Sequence, residues 1–238
     1  MDTVTLITGG VVFLAVFTQS LSGFGIALVA MALLPSVIGI RLATPLVALV
    51  AIAMEAVLVI HYREALEVRS IWKVVLAAVV STPLGALFLS RVDENIALMI
   101  LGFVITGYAL YALFGFKLPR LESSLWAYLA GLVGGLLGGA YNTSGPPVIV
   151  YADCRRWPPE TFKGNLQGYF IIVSLAVVAS HALNGNFSAE VWRMFWGSLP
   201  FIALGLLAGL SLDRWLNPVL FRQVVLALLV LMGIRLIF

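Results

Sequence analysis

Runs of apolar residues, broken at short polar intervals, fill the chain almost from end to end. A helix needs about 20 apolar residues to cross a hydrocarbon core of roughly 30 Å. Six runs have that length: Leu42–Tyr62, Ile71–Ser90, Ile96–Phe116, Leu166–Leu183, Val191–Leu212 and Val219–Phe238. Charged or turn-forming residues bound them, as in His61-Tyr62-Arg63-Glu64, Arg91-Val92-Asp93-Glu94 and Asn184-Gly185-Asn186. Two further runs are too long for one crossing. Val4–Ile38 is interrupted near its middle by Ser20-Leu21-Ser22-Gly23-Phe24-Gly25, and Leu125–Ala152 by the stretch from Gly138 to Pro147. Glycine and proline weaken a helix, and Pro146-Pro147 removes two backbone donors. Each long run is either one broken helix or a re-entrant hairpin that returns to its starting side.

Composition narrows the class. Of the 238 residues, 62% are hydrophobic and 11% charged, against roughly 25% charged in soluble domains. So few charges cannot cover a soluble surface, which leaves an all-α integral membrane protein embedded in a lipid bilayer. The net charge of +3 is scattered through loops, with no basic block that would suit a nucleic acid. The single cysteine, Cys154, excludes an intramolecular disulfide and a cysteine metal cage. The opening Met1-Asp2-Thr3 has no basic n-region and reads as the start of the mature chain.

Charge also bears on topology. If both interrupted runs cross once, the Lys and Arg residues divide 7:7 between the two sides. If both are hairpins, Arg63, Arg69, Lys73, Lys117, Arg120, Arg155, Arg156, Lys163, Arg214 and Arg222 share one face, against Arg41, Arg91, Arg193 and Arg235 on the other. That 10:4 split is the asymmetry expected of cytoplasmic loops, and it puts both termini on the periplasmic or extracellular side. An offset of 120 residues then aligns Gly25 with Gly145, His61 with His181, Trp72-Lys73 with Trp192-Arg193, Gly85 with Gly205 and Asp93 with Asp213. The chain reads as one transporter domain of two copies, Met1–Arg120 and Leu121–Phe238, each a hairpin plus three spans. Three crossings per copy would invert the second copy relative to the first, a recurrent design of secondary transporters.

The chemistry concentrates at the two breaks. A helix starting near Phe24 and another at Pro146-Pro147 would offer free N–H groups and a partial positive charge to an anion. Ser22, Thr143 and Ser144 are good N-cap types, and Gly23, Gly25 and Gly145 would let the backbone approach the ligand. Ser22, Gly23, Phe24, Gly25, Asn142, Thr143, Ser144 and Gly145 are therefore the expected substrate-binding residues, two tips cradling one small anion. Gly131, Gly134, Gly135, Gly138 and Gly139, at GxxxG spacing, read instead as helix-packing residues.

Glu55 lies within a predicted span; an ionisable group there is costly and a functional candidate, here for proton coupling. A structural hydrogen bond to a neighbouring helix is the alternative. Gln19, Asn165 and Gln167 either line the cavity or bond helix to helix. His61 and His181, near span ends, read as interfacial; Lys163 as an anchor; Cys154 as incidental. No Walker A loop, HExxH, GxSxG or metal-spaced cluster occurs, so the reading is no enzyme and no cofactor, with energy drawn from a gradient or a partner.

Two halves, each opening on a Gly/Ser-rich broken segment (Ser20–Gly25 and Gly134–Pro147), resemble the TauE/SafE sulfite-exporter family. The Trp72…Pro83-x-Gly85 and Trp192…Pro200…Gly205 spans are similar to its third span in each half. The resemblance covers the whole chain. It implies an inner-membrane carrier of sulfite, a sulfonate or a related small organic anion and leaves direction and coupling open; the reading taken is an exporter working by alternating access. An anion channel and a membrane assembly subunit without transport are the rival classes.

Overall fold

A computed structural model describes residues 3–115, 118–212 and 218–238. Lys117 and Arg214 of the charge count and Asp213 of the repeat lie outside the described residues. The helices are α1 (Thr3–Ser22), α2 (Ile26–Leu33), α3 (Pro35–Ile38), α4 (Ile40–His61), α5 (Val68–Arg91), α6 (Glu94–Phe114), α7 (Ser124–Tyr141), α8 (Gly145–Arg155), α9 (Pro159–Leu183), α10 (Ala189–Leu212) and α11 (Pro218–Ile237). The described residues contain no strand. Among the described residues, eight helices are long and apolar enough to cross a membrane: α1, α4, α5, α6, α7, α9, α10 and, from Leu220, α11.

The six predicted spans are all present, each starting one to seven residues earlier than its apolar run. Helix continues into polar sequence where the polar groups find partners. Asp93 accepts from Asn95 N at 2.9 Å to open α6, and Ser123 accepts from Leu125 N at 3.3 Å to open α7.

The breaks fall within the interruptions that the sequence marks, at Gly23–Gly25 and at Asn142–Ser144, and each follows a helix of span length. Ser20 and Ser22 lie within α1, their hydroxyls donating back to Val16 O and Thr18 O at 2.9 and 2.7 Å. The chain turns at Gly23 and Gly25, with φ of 81° and 117°, and in the second run at Asn142, φ 58°. These left-handed conformations stop a helix. Beyond each turn the chain folds back. A Cβ on Gly134 would lie 3.3 Å from Val148 Cγ2, although one continuous helix would hold residues 14 apart at about 21 Å. Likewise α1 packs on both α2 and α3.

The chain forms two compact units. Unit 1 comprises Met1–Val50, Val92–Phe116 and Asn186–Phe238; unit 2 comprises Ala51–Arg91 and Lys117–Gly185. In unit 1, α1 packs on α10, with Gly205 and Gly209 against Phe13, Val16, Phe17 and Ser20. In the same unit α6 packs on α11, where Gly102 and Gly233 face each other's helices. In unit 2, α5 packs on α7 and α9. Gly131, Gly135 and Gly139 bring α7 against the Val74, Ala78 and Thr82 carbonyls of α5. Ser81 Oγ donates across that contact to Leu132 O at 2.9 Å. The expected packing role holds for this stripe, because i, i+4 and i+8 share one helix face.

Three basic segments gather at one end of unit 2. Arg155 Nη1 and Arg156 Nη2 donate to Leu121 O and Leu118 O, both at 3.0 Å. Lys73 Nζ donates to Ser124 Oγ. Asn165 Oδ1 accepts from Glu67 N at 2.8 Å, and Lys163 Nζ lies 5.6 Å above the Tyr62 ring. Polarity is inverted relative to a soluble protein. Val80, Leu84, Leu204, Leu207 and Leu231 are more than half exposed, whereas Gln19, Glu55, Asn165 and Gln167 are buried. Trp72, Trp126, Trp192 and Trp196, all exposed, sit near the starts of α5, α7 and α10, where an interfacial aromatic belt would place them.

Candidate functional site

In unit 2 the site forms around the turn between α7 and α8. Asn142 ends α7, its N–H bonded to Gly138 O at 2.8 Å, and the Thr143 N–H reaches Leu137 O at 3.3 Å. Ser144 occupies the N-cap position of α8 but makes no capping hydrogen bond, so its hydroxyl is not consumed by the helix. Thr143 and Ser144 are buried, and Thr143 Oγ1 has no hydrogen-bond partner. Helix α8 opens with Gly145-Pro146-Pro147. Neither proline carries an N–H, so Gly145 is the only amide donor among its first three residues. The donors at this turn are therefore mainly side-chain hydroxyls, those of Thr143 and Ser144.

Three side chains from other helices complete this environment. Tyr169, ten residues into α9 and fully buried, directs its hydroxyl toward the Ser144 side chain without closing a hydrogen bond to any group. Glu55 of α4 neighbours that phenol. One Glu55 oxygen bonds the Ser174 hydroxyl, and the other, Oε2, is buried without a partner. Gly134 supplies the space, since a Cβ there would lie 2.6 Å from the Tyr169 oxygen. Gly134 and Gly138 thus face the tip, separating them from the packing stripe of Gly131, Gly135 and Gly139. Phe170 lines the opposite wall, 3.4 Å from where a Gly145 Cβ would stand.

The first tip, in unit 1, is built differently. Ser22 does not cap the next helix: it ends α1, and its hydroxyl is engaged by Thr18 O and Phe24 O. Helix α2 begins at Ile26, two residues after Phe24, with Gly25 at the N-cap. Its first amide donates to Gln19 Oε1 at 2.9 Å, a cap contributed from seven residues upstream. Gln19 is buried and its Nε2 has no partner. Phe24 stands edge-on to Tyr108 at 6.3 Å, and the Arg222 guanidinium lies 5.4 Å over its ring. Arg222 also lines a small cavity with Thr18, Ser22, Phe24 and Gly25. A cation that the sequence analysis used only in the charge count is thus beside this tip.

The remaining predicted residues sort by their partners. Asn165 clamps the Glu67 amide at the basic end and does not reach the tip. Gln167 is buried in α9, two residues from Tyr169. His181 is buried in the last turn of α9, whereas His61 is exposed. Cys154 is buried. Among the described residues no His, Cys, Asp and Glu side chains group as metal ligands. Tyr169, Ser174 and Arg222 were not singled out by sequence. The one available signal was a hydroxyl in mid-span at Tyr169 and Ser174, which says nothing of direction.

No match was found among curated proteins or among solved structures. The model of the family described as "Sulfite exporter TauE/SafE" matches residues 8–236. With eight helices able to cross a bilayer and a match along nearly its whole length, the chain is a multi-pass membrane protein and belongs to the TauE/SafE sulfite exporter family.

Proposed function

We propose that this protein is a secondary carrier that exports a small sulfur-containing or organic anion, such as sulfite or a sulfonate, across the cell inner membrane by alternating access. The observation that carries the reading is the α8 tip. It joins a helix N-terminus to the buried hydroxyls of Thr143 and Ser144, with Gly145 N–H as the backbone donor and no cation needed. The tip faces Tyr169, about 15 Å along α9 from its start, roughly half a hydrocarbon core. Within unit 1, the Ser22–Gly25 turn with Arg222 beside it is the corresponding break of the first repeat.

Glu55 is the proposed coupling carboxyl. An ionised carboxylate next to the tip repels an incoming anion, and a protonated one does not. Proton uptake at Glu55 and anion binding therefore favour each other, linking anion movement to a proton gradient. The gathering of residues 62–73, 118–124 and 155–165 at one end of unit 2 supports a re-entrant α7–α8 hairpin and a cytoplasmic placement of all three segments. It also supports the inverted-repeat reading of residues 1–120 and 121–238, with the termini on the outer side.

Radiolabelled sulfite and sulfonate flux into proteoliposomes, with and without a pH gradient, tests this. A carrier gives saturable flux and anion–anion exchange. Flux that rises linearly with concentration without exchange would make it a channel, and no flux of either anion would remove the transport reading for these substrates.

A further inference from the structure

We propose that the Tyr169 phenol is a direct ligand of the anion at the α8 tip, the donor that closes the site from the α9 side. The inference rests on the functional reading above and adds a residue to it. A helix start ordinarily offers several free N–H groups, but Pro146 and Pro147 remove two of them here. An oxyanion has more acceptor positions than Gly145 N–H, Thr143 and Ser144 can fill. Tyr169 supplies the missing donor from a second helix.

Three observations assign the role. First, the phenol is fully buried and its oxygen has no hydrogen-bond partner. Such a group is costly unless something outside the chain satisfies it. Second, it is aimed at the tip. Its oxygen would lie 2.6 Å from a Cβ on Gly134, a point that is itself 3.1 Å from Ser144 O and 3.3 Å from Val148 Cγ2. Any side chain at Gly134 would displace the phenol from this place. Third, Thr143 Oγ1 is a second buried hydroxyl without a partner at the same turn. Glu55, from α4, is the charged group whose field reaches the phenol. The donors at this tip are thus neutral, and an acid, Glu55, lies near them. That combination suits a small oxyanion held by hydrogen bonds and not by ion pairing.

Ligand and structural roles predict opposite signs for Tyr169→Phe. In the free protein the hydroxyl has only its approach to the Ser144 side chain, short of a closed hydrogen bond, so its loss leaves thermal stability little changed. Its loss weakens anion binding, by roughly ten- to a hundredfold if one hydrogen bond to a charged group is removed. The experiment is equilibrium binding of radiolabelled sulfite and of a radiolabelled sulfonate to purified parent and variant, with thermal stability measured on the same samples. The expected result is weaker binding with no loss of stability. Gly134→Ala, which pushes the phenol aside, weakens binding too, and adds little once Tyr169→Phe is present. Parent-like affinity in Tyr169→Phe overturns the assignment alone, as does an affinity loss that merely follows a fall in stability. A parent protein that is folded and binds neither anion overturns the functional reading and this assignment with it.

Discussion

Replacing Gly135 with alanine adds one methyl group where α7 crosses α5. An ideal Cβ at this position falls onto the Ala78 carbonyl oxygen and Ser81 Oγ, and lies 2.7 Å from the Ala78 Cα. Carbon atoms in contact normally sit about 3.5–4.0 Å apart, so the helices must part by about 1 Å. Two of the obstructing atoms are backbone, which cannot rotate away. Overpacking of this kind costs about 1–3 kcal/mol, and alanine's better helix propensity returns at most about 1 kcal/mol. The net loss is about 1–2 kcal/mol, or roughly 2–8 °C in apparent Tm for a chain of this size. The control is Gly107→Ala, where a Cβ meets nothing within 4 Å. There only the propensity gain operates, and stability holds or rises. Recovery of monodisperse protein after heating in detergent measures both. If Gly135→Ala is as stable as Gly107→Ala, the close glycine-mediated contact of α5 with α7 is wrong.

Other outcomes follow from the same structure. Glu55→Gln keeps a partner for Ser174 but cannot titrate; it should retain anion exchange in proteoliposomes and lose the response to a pH gradient, whereas parent-like pH dependence would leave Glu55 a purely structural role. Gln19→Leu strips the acceptor from the Ile26 amide and should lower stability by about 1–3 kcal/mol, the cost of a buried unpaired donor; an unchanged melting temperature would mean that this cap is not formed. Cysteines placed at Glu67 and Ser123 in a Cys154-free background should both be shielded from an impermeant thiol reagent in intact cells and both react after permeabilisation. Labelling of both from outside would reverse the orientation, and labelling of just one would contradict the shared end of unit 2.

The existence and order of the long helices were legible because an apolar run of span length has few other uses. Their starts were not. Helix α9 begins at Pro159, seven residues before the run at Leu166, and carries Glu160, Lys163 and Asn165 in its first two turns. Hydropathy stops at those residues, but Asn165 stays helical by bonding the Glu67 amide, 98 positions away in sequence. The breaks were legible as glycine and proline clusters, and their residue types pointed at hydroxyl donors. Which hydroxyls remain available was not. Ser22 and Ser144 look alike in sequence, yet Ser22 is held by Thr18 O and Phe24 O while Ser144 makes no cap. Gln19 shows the same limit: its polar side chain was noticed, but its use as a cap depends on the chain reversing at Gly23. Tyr169 was hidden because one aromatic in an apolar span carries no mark of what it faces.

The central claim is that the anion binds at the α8 tip, and equilibrium binding of radiolabelled sulfite and a radiolabelled sulfonate to purified Thr143→Val, Ser144→Val and Gly145→Leu variants tests it most directly. Each valine removes one hydroxyl donor to a charged ligand, worth about 1.5–3 kcal/mol, so affinity should fall by roughly tenfold or more. The leucine at Gly145 meets Phe170 and Ile149 at ordinary contact distance with its first carbon alone, and its further branch fills the tip and abolishes binding. Parent-like affinity in all three folded variants would place the anion elsewhere in the protein.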